Sequence, residues 1–233
     1  MTYPIKAALF DKDGTLFDFA ATWNAWAKAT LLDLTNGDAV RAKTVGALMD
    51  FDFTAGAFDP ESEVIAGTPD DIIRLLSPGL PEIPRDALLE RINRAAAQAP
   101  QVETVPLQPW IAELRALGLK IGVATNDAEA PARAHLSSAG VEDLFDFIAG
   151  YDSGYGGKPA PGMCLGFAEA MGVAPDAVVM VGDSTHDLLA GRAAQMRTVA
   201  VLTGMAGEAD LAPYADVVLP SIGALPAWIA AQG

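Results

Sequence analysis

Six short apolar runs, each halted by a polar or turn-forming residue, constrain this chain more than any other feature. Residues 5–10 end at Asp11, 119–124 at Thr125, 145–149 at Gly150, 177–181 at Gly182, 198–202 at Thr203 and 216–219 at Pro220. Most are rich in β-branched or large apolar residues, as strands covered on both faces are. Amphipathic stretches lie between them. Trp110, Ile111, Leu114 and Leu117 share one face of a helix expected over 108–117, and further helices are expected over 129–139, 161–171 and 187–194. Gly118, Gly140 and Gly172 follow three of these as stop signals. Strand and helix in repeated alternation predict an α/β fold with a Rossmann-like parallel sheet and right-handed crossovers.

Residues 19–100 break that rhythm. Helical patterns cover 20–34, 38–49, 69–76 and 86–99, and 51–67 reads as a loop or a short hairpin. The expectation is a mainly helical domain at 19–100 inserted after the first strand, with 1–18 and 101–233 forming the core domain. Residues 100–109 would be the return linker, stiffened by Pro100, Pro106 and Pro109.

The balance of 30 acidic against 15 basic residues gives a net charge of −15, which opposes non-specific binding to nucleic acid or to an anionic membrane. An anionic small substrate would need a local cation. With 51% hydrophobic residues the chain can bury a sizeable core, so wholesale disorder is excluded. Cys164 is the single cysteine, which rules out an intrachain disulfide or a cysteine-cluster zinc site and fits a reducing compartment. The apolar stretch before Asp11 is too short for a signal peptide or a membrane span, so a cytoplasmic protein is expected. No feature specifies an oligomeric state.

Four polar constellations fall at the expected strand ends, where open α/β sheets bind ligands. The first is Asp11-Lys12-Asp13-Gly14-Thr15, with two carboxylates on the same side of an extended chain. One can act as a nucleophile and the other as a proton donor. The second is Thr125-Asn126, a hydroxyl and an amide able to donate to phosphate oxygens. The third is Lys158 in Gly156-Gly157-Lys158-Pro159, a point charge on a restricted loop. The fourth is Gly182-Asp183-Ser184-Thr185-His186-Asp187, whose two acids suit Mg²⁺. Each has a plainer reading: an Asx-turn, a helix cap, a solvated lysine and an acidic helix N-terminus. Their common placement at the ends of one sheet, in the order acid pair, hydroxyl, lysine, acid pair, favours a joint site.

In that order the four segments resemble the signature motifs of the haloacid dehalogenase superfamily. The resemblance covers the first strand and most of the chain from about 106 to 200, and the helical insert is similar to that family's small cap domain. It implies a phosphatase in which Asp11 is phosphorylated and Asp13 serves as general acid and base. Mg²⁺ would be held by Asp11, the Asp13 carbonyl and Asp183, with Asp187 orienting the metal shell or Lys158. Thr125, Asn126 and Lys158 would bind the phosphoryl group. The acid at position 13 points away from dehalogenases and ion pumps. The small cap resembles that of phosphoglycolate phosphatase-like proteins acting on a small phosphorylated metabolite, which makes a phosphoglycolate-like substrate the favoured expectation. A β-phosphoglucomutase-like phosphomutase, a non-catalytic phospho-ligand binding protein and a signalling receiver domain are the alternatives. The receiver is disfavoured by the chain's length, its helical insert and the position of its acid pair.

Lys12 stands where the family often has Leu or Phe, and its side chain is expected to point away from Asp11 and Asp13. Arg41, Lys43 and Arg74 are insert cations that could meet a substrate carboxylate, with surface solvation the simpler role. Trp23 and Trp26 suit either core packing or the substrate pocket. His186 is not expected to bind Mg²⁺, which prefers oxygen. Cys164, Met163, Met171 and Met180 read as packed hydrophobes.

Overall fold

A computed structural model describes residues 4–232. Its main sheet has six strands: β1 (Ala7–Phe10), β4 (Lys120–Ala124), β5 (Phe147–Ala149), β6 (Val178–Gly182), β7 (Arg197–Val201) and β8 (Val217–Leu219). They are ordered β5-β4-β1-β6-β7-β8, and every neighbouring pair is parallel. The chain runs outward from β1 to β4 and β5, then crosses to β6 and continues the other way. The order therefore reverses beside β1, which opens a crevice at the carboxyl ends of β1, β4 and β6.

Helices cover both faces. The core-side helices are α5 (Leu107–Ala116), α6 (Glu129–Ser138), α7 (Gly162–Met171), α8 (Thr185–Ala193), α9 (Glu208–Leu211) and α10 (Leu225–Ala230). Alternation along β1 sends Ala8 and Phe10 into one apolar cluster with Trp110, Ile111 and Leu136. Ala7 and Leu9 enter the opposite cluster with Met163, Cys164, Phe167 and Met180. Met171 packs against that second cluster from a partly buried position.

Between β1 and α5 lie α1 (Phe19–Leu34), α2 (Ala39–Gly46), α3 (Pro69–Leu76) and α4 (Arg85–Ala96), with a small antiparallel hairpin of β2 (Phe51–Asp52) and β3 (Ala57–Phe58). These elements bury an apolar cluster of their own that includes Trp26, Leu31, Ile73 and Leu88. Asp18 and Asp38 cap α1 and α2, and Thr68 with Asp71 forms a capping box on α3. The hairpin settles the ambiguous region after residue 50. The helix expected over 38–49 ends at Gly46, and a 3-10 turn, Ala47–Met49, follows it.

The return linker is shorter than expected. Residue Pro109 lies inside the first turn of α5, which begins at Leu107. A proline is tolerated there because a first-turn N–H has no intrahelical acceptor.

Candidate active site

Phe10 is the last ladder residue of β1, and the backbone turns immediately beyond it. Gly14 makes the turn with φ of +80°, and a Cβ at that position would overlap the Asp183 carboxylate. Both the conformation and the close approach therefore require glycine. Asp11 and Asp13 project into the crevice at this turn and line a cleft between the sheet ends and the inserted helices. The cleft encloses about 670 Å³, its solvent-filled mouth included. That is the scale of a small-molecule site.

Lys158 is buried, and its Nζ donates to Asp11 Oδ1 at 2.5 Å, Asp187 Oδ1 at 2.6 Å and the Ala124 carbonyl at 2.8 Å. It is thus a fixed charge between β4 and the nucleophile candidate. Asn126 anchors its backbone: the Lys158 N–H donates to Asn126 Oδ1 at 2.7 Å, and Asn126 Nδ2 returns a bond to the Lys158 carbonyl at 2.9 Å. Asn126 Nδ2 also donates to the Ala66 carbonyl at 2.8 Å, joining the sheet end to the insert. Thr125 is buried beside it, and its hydroxyl accepts from the Asp127 N–H at 3.1 Å. Neither Thr125 nor Asn126 caps α6, whose N-cap is Ala128.

Asp183 follows β6. Its Oδ1 accepts from the Thr15 hydroxyl at 3.0 Å, so that hydroxyl serves the acid rather than the turn backbone. Asp187 is the N3 residue of α8. Its Oδ2 accepts from the Ser184 N–H at 3.0 Å and the Ser184 hydroxyl at 2.7 Å. Oxygen atoms of Asp11, Asp183 and Asp187 lie within 4.8 Å of one another. Three buried carboxylates around one ammonium leave two negative charges, and the donors are all hard oxygens. This donor set fits Mg²⁺. Burial, together with Asp187 and Asp13, pushes the Asp11 carboxyl up to about 7 despite Lys158. Burial and the neighbouring Asp11 and Asp187 push Asp183 well above the usual carboxylate range. For Lys158, Asp11 and Asp187 outweigh the opposing effect of burial and raise its pKa. A bound divalent cation would remove the carboxylate repulsion.

Lys12 corrects a sequence expectation. Its side chain turns towards Asp13, not away from it, and is completely buried. Nζ donates to Asp13 Oδ1 at 2.8 Å and to His135 Nδ1 at 2.9 Å, and lies 3.4 Å from Asp127 Oδ2. It also lies 5.3 Å from the centroid of the Trp23 ring. The alternation that would have sent it elsewhere ends with the ladder at Phe10. An ammonium only donates and a carbonyl only accepts, so His135 is the neutral tautomer, whose Nε2–H reaches the Ala96 carbonyl at 2.7 Å. Burial and the adjacent Lys12 hold that imidazole down at about 4. Burial also pushes Asp127 up to about 6, with Lys12 pulling the other way.

Sequence reasoning missed Asp127 and His135. Asp127 directly follows the Thr125-Asn126 pair, which was a usable signal. His135 hides on the apolar face of α6 with Ala132 and Leu136. Trp23 and Trp26 do both things open to them: they are buried in the insert and they line the cleft. His186 also lines it. Arg41 pairs with Glu82 at 2.5 Å and Arg74 with Glu63 at 2.5 Å, and neither they nor Lys43 line the cleft. Among the described residues, no helix is long and apolar enough to cross a membrane.

Comparison with known proteins agrees with this geometry. The chain is 37% identical over 118 residues to a phosphoglycolate phosphatase of Neisseria meningitidis, spanning 50% of each sequence. It thus covers about half the length of that relative. A phosphoglycolate phosphatase of Nitrosospira multiformis is 28% identical over 221 residues, 94% of this chain and 93% of that one. A crystal structure from Bacteroides fragilis, described as a haloacid dehalogenase-like hydrolase, superposes with a TM-score of 0.73 at 19% identity. That superposition covers 95% of this chain and 99% of the other, and it supports the fold. The family model for haloacid dehalogenase-like hydrolases matches residues 5–195, most of the chain. By fold, by the placement of its acids and lysine, and by this match, the protein belongs to the haloacid dehalogenase-like hydrolases.

Proposed function

We propose that this protein is a Mg²⁺-dependent phosphatase of small phosphorylated metabolites, working through an aspartyl-phosphate on Asp11. The observation that carries the reading is the buried Lys158 ammonium, held at 2.5 Å from Asp11 and 2.6 Å from Asp187 beside a third acid. An Asp11 oxygen attacks phosphorus in line as the ester P–O bond breaks, and the departing alkoxide takes a proton from Asp13. Asp13, now a carboxylate, removes a proton from water. That water attacks the same phosphorus, which frees Asp11 and inorganic phosphate.

The Lys158 ammonium balances charge on the transferring group, while Asn126 fixes the loop that carries it. Thr125 lies within the same cleft as a donor for the phosphoryl oxygens. Asp11, the Asp13 carbonyl and Asp183 would hold the metal, and Asp187 holds Lys158 in place. When bound, Mg²⁺ supplies positive charge that offsets repulsion between the Asp11 carboxylate and an approaching phosphate dianion. The inserted helices, proposed as a cap domain at 19–100, exclude water from these steps.

The test is phosphate release from p-nitrophenyl phosphate with Mg²⁺ and after its chelation. Turnover should need the metal, and Asp11→Asn should lower kcat by at least about a thousandfold. Normal turnover by Asp11→Asn would overturn the assignment. Sustained phosphate release without an isomerised product separates a phosphatase from a phosphomutase. Because both named relatives are phosphoglycolate phosphatases, phosphoglycolate belongs in the same assay.

A further inference from the structure

The cleft has two unlike halves. The sheet-end half carries Asp11, Asp13, Asp127, Asp183 and Asp187. Among the described residues, Lys158 is the one lysine or arginine that lines the cleft, and His186 lines it from the first turn of α8. The insert half is formed largely by apolar side chains, including Phe19, Trp26, Val64, Ile72 and Ile92. Insert cations are engaged elsewhere: Arg41 with Glu82, Arg74 with Glu63 and Arg91 with Asp33.

The walls meet in this structure. Asn126 bonds the Ala66 carbonyl and His135 bonds the Ala96 carbonyl, so the insert face is the wall that a bound substrate would touch.

Unsatisfied polar atoms concentrate here. Five buried side-chain polar atoms among the described residues have no hydrogen-bond partner: Trp26 Nε1, Thr30 Oγ1, Asn93 Oδ1, Asp127 Oδ2 and His186 Nδ1. All except Thr30 belong to residues lining the cleft. Asp127 has Lys12 as an ionic neighbour. Trp26 Nε1 and Asn93 Oδ1 have no such ionic neighbour, and both residues stand on insert helices, α1 and α4. Leaving such groups unpaired is costly, so their clustering points to a ligand that completes them.

We infer that the substrate's organic part is uncharged and mainly apolar, and that it carries a neutral hydroxyl or amide to meet the Trp26 N–H and the Asn93 amide. The inference rests on the phosphatase reading for the phosphate end. The rest of the substrate follows from the wall. Lys158 and the metal site take the phosphate charge. A second anion on the insert wall would face apolar side chains, with Lys158 already held by Asp11 and Asp187 and His186 standing on α8 at the sheet-end side, and burying such a charge is strongly unfavourable. Phosphoglycolate, pyrophosphate and sugar bisphosphates are all disfavoured on this ground. A hydroxyl can accept from the indole N–H or donate to the amide oxygen, so either atom can be completed by a neutral group.

Three phenyl phosphates that differ only at the para position test this: hydroxymethyl, methyl and carboxylate. The kcat/KM for the hydroxymethyl ester should exceed that for the carboxylate ester by at least about tenfold, the scale set by an unpaired buried charge. Hydroxyethyl phosphate should likewise exceed phosphoglycolate, its carboxylate counterpart. Equal or reversed preference in the phenyl pair overturns the inference and leaves the phosphatase reading standing. Trp26→Phe should lower kcat/KM about fivefold or more further for the hydroxymethyl than for the methyl ester. Equal losses on the two esters would remove the indole N–H from recognition.

If neither these esters nor p-nitrophenyl phosphate is hydrolysed, the phosphatase reading fails. Calorimetry with the hydroxymethyl- and carboxy-substituted benzylphosphonates then reads the same preference without turnover. Tighter binding of the neutral phosphonate keeps the substrate class, and equal or tighter binding of the carboxylate sinks it.

Discussion

The Lys12 ammonium lies 2.8 Å from Asp13 Oδ1 and has no solvent exposure. It fixes the proposed acid–base carboxylate from below, while its other contacts, with Asp127, His135 and Trp23, tie it to α6 and the insert. Replacing the cation therefore disturbs both the position of Asp13 and a buried charge balance. Lys12→Met should lower kcat by about tenfold to a hundredfold with a smaller change in KM, and should destabilise the fold by about 3 kcal/mol. Steady-state kinetics and chemical denaturation check both effects. Wild-type values in both would show that Lys12 positions nothing.

Replacing Asp183 is expected to have opposite effects with and without metal. In the free site, burial and the Asp11 and Asp187 charges work against its ionisation. Asp183→Asn removes that conflict, so in the presence of a chelator its Tm should rise by a few degrees, roughly 1 kcal/mol. The same variant should need at least about tenfold more Mg²⁺ for half-maximal turnover, since a hard-oxygen ligand is lost. A Tm that falls in chelator together with unchanged Mg²⁺ dependence would count against the metal assignment.

His135 predicts a pH dependence of stability. Its folded pKa is about 4, below the roughly 6.5 of an unfolded histidine. The unfolded chain therefore binds the proton first. The contribution of His135 is fully present above about pH 6.5 and is lost as the pH falls towards about 4. Asp127 and Asp11, both raised, favour the folded state on acidification, so a variant is needed to isolate the histidine. Between about pH 7.5 and pH 5, wild type should lose about 2 kcal/mol more stability than His135→Gln. Urea denaturation at the two pH values measures it, and parallel losses would refute it.

Cys164 should resist alkylation. Burial pushes its thiol up to about 12, and the side chain is packed among Met163, Phe167 and Leu9. Native protein treated with iodoacetamide near pH 8 should remain unmodified by mass spectrometry over hours, and should react within minutes in denaturant. Rapid labelling of the native form would mean that this side of the sheet opens readily.

Much of the fold was legible because its signals are local. Apolar runs mark the strands to within about two residues at each end, and glycines follow the helices they terminate. Asp11, Thr125, Lys158 and Asp183 could be placed at one end of the sheet because parallel strands bring their carboxyl ends together. Strand alternation carried past Phe10 would turn Lys12 away from Asp13, but the ladder stops at Phe10. Pro109 reads as linker because proline breaks helices, yet the first helical turn accepts it.

From its sequence alone, then, this protein has its strand and helix order, its helical insert and its four polar segments determined, since periodicity, caps and turn residues act over a few positions. Tertiary structure alone decided that Lys12 lies against Asp13 and His135, that Arg41 and Arg74 are occupied by glutamates, and that Trp26 Nε1 and Asn93 Oδ1, in two residues lining the cleft, have no hydrogen-bond partner. Those outcomes depend on side chains distant in the chain meeting in low dielectric, where burial sets both the cost of an unpaired charge and the strength of a paired one.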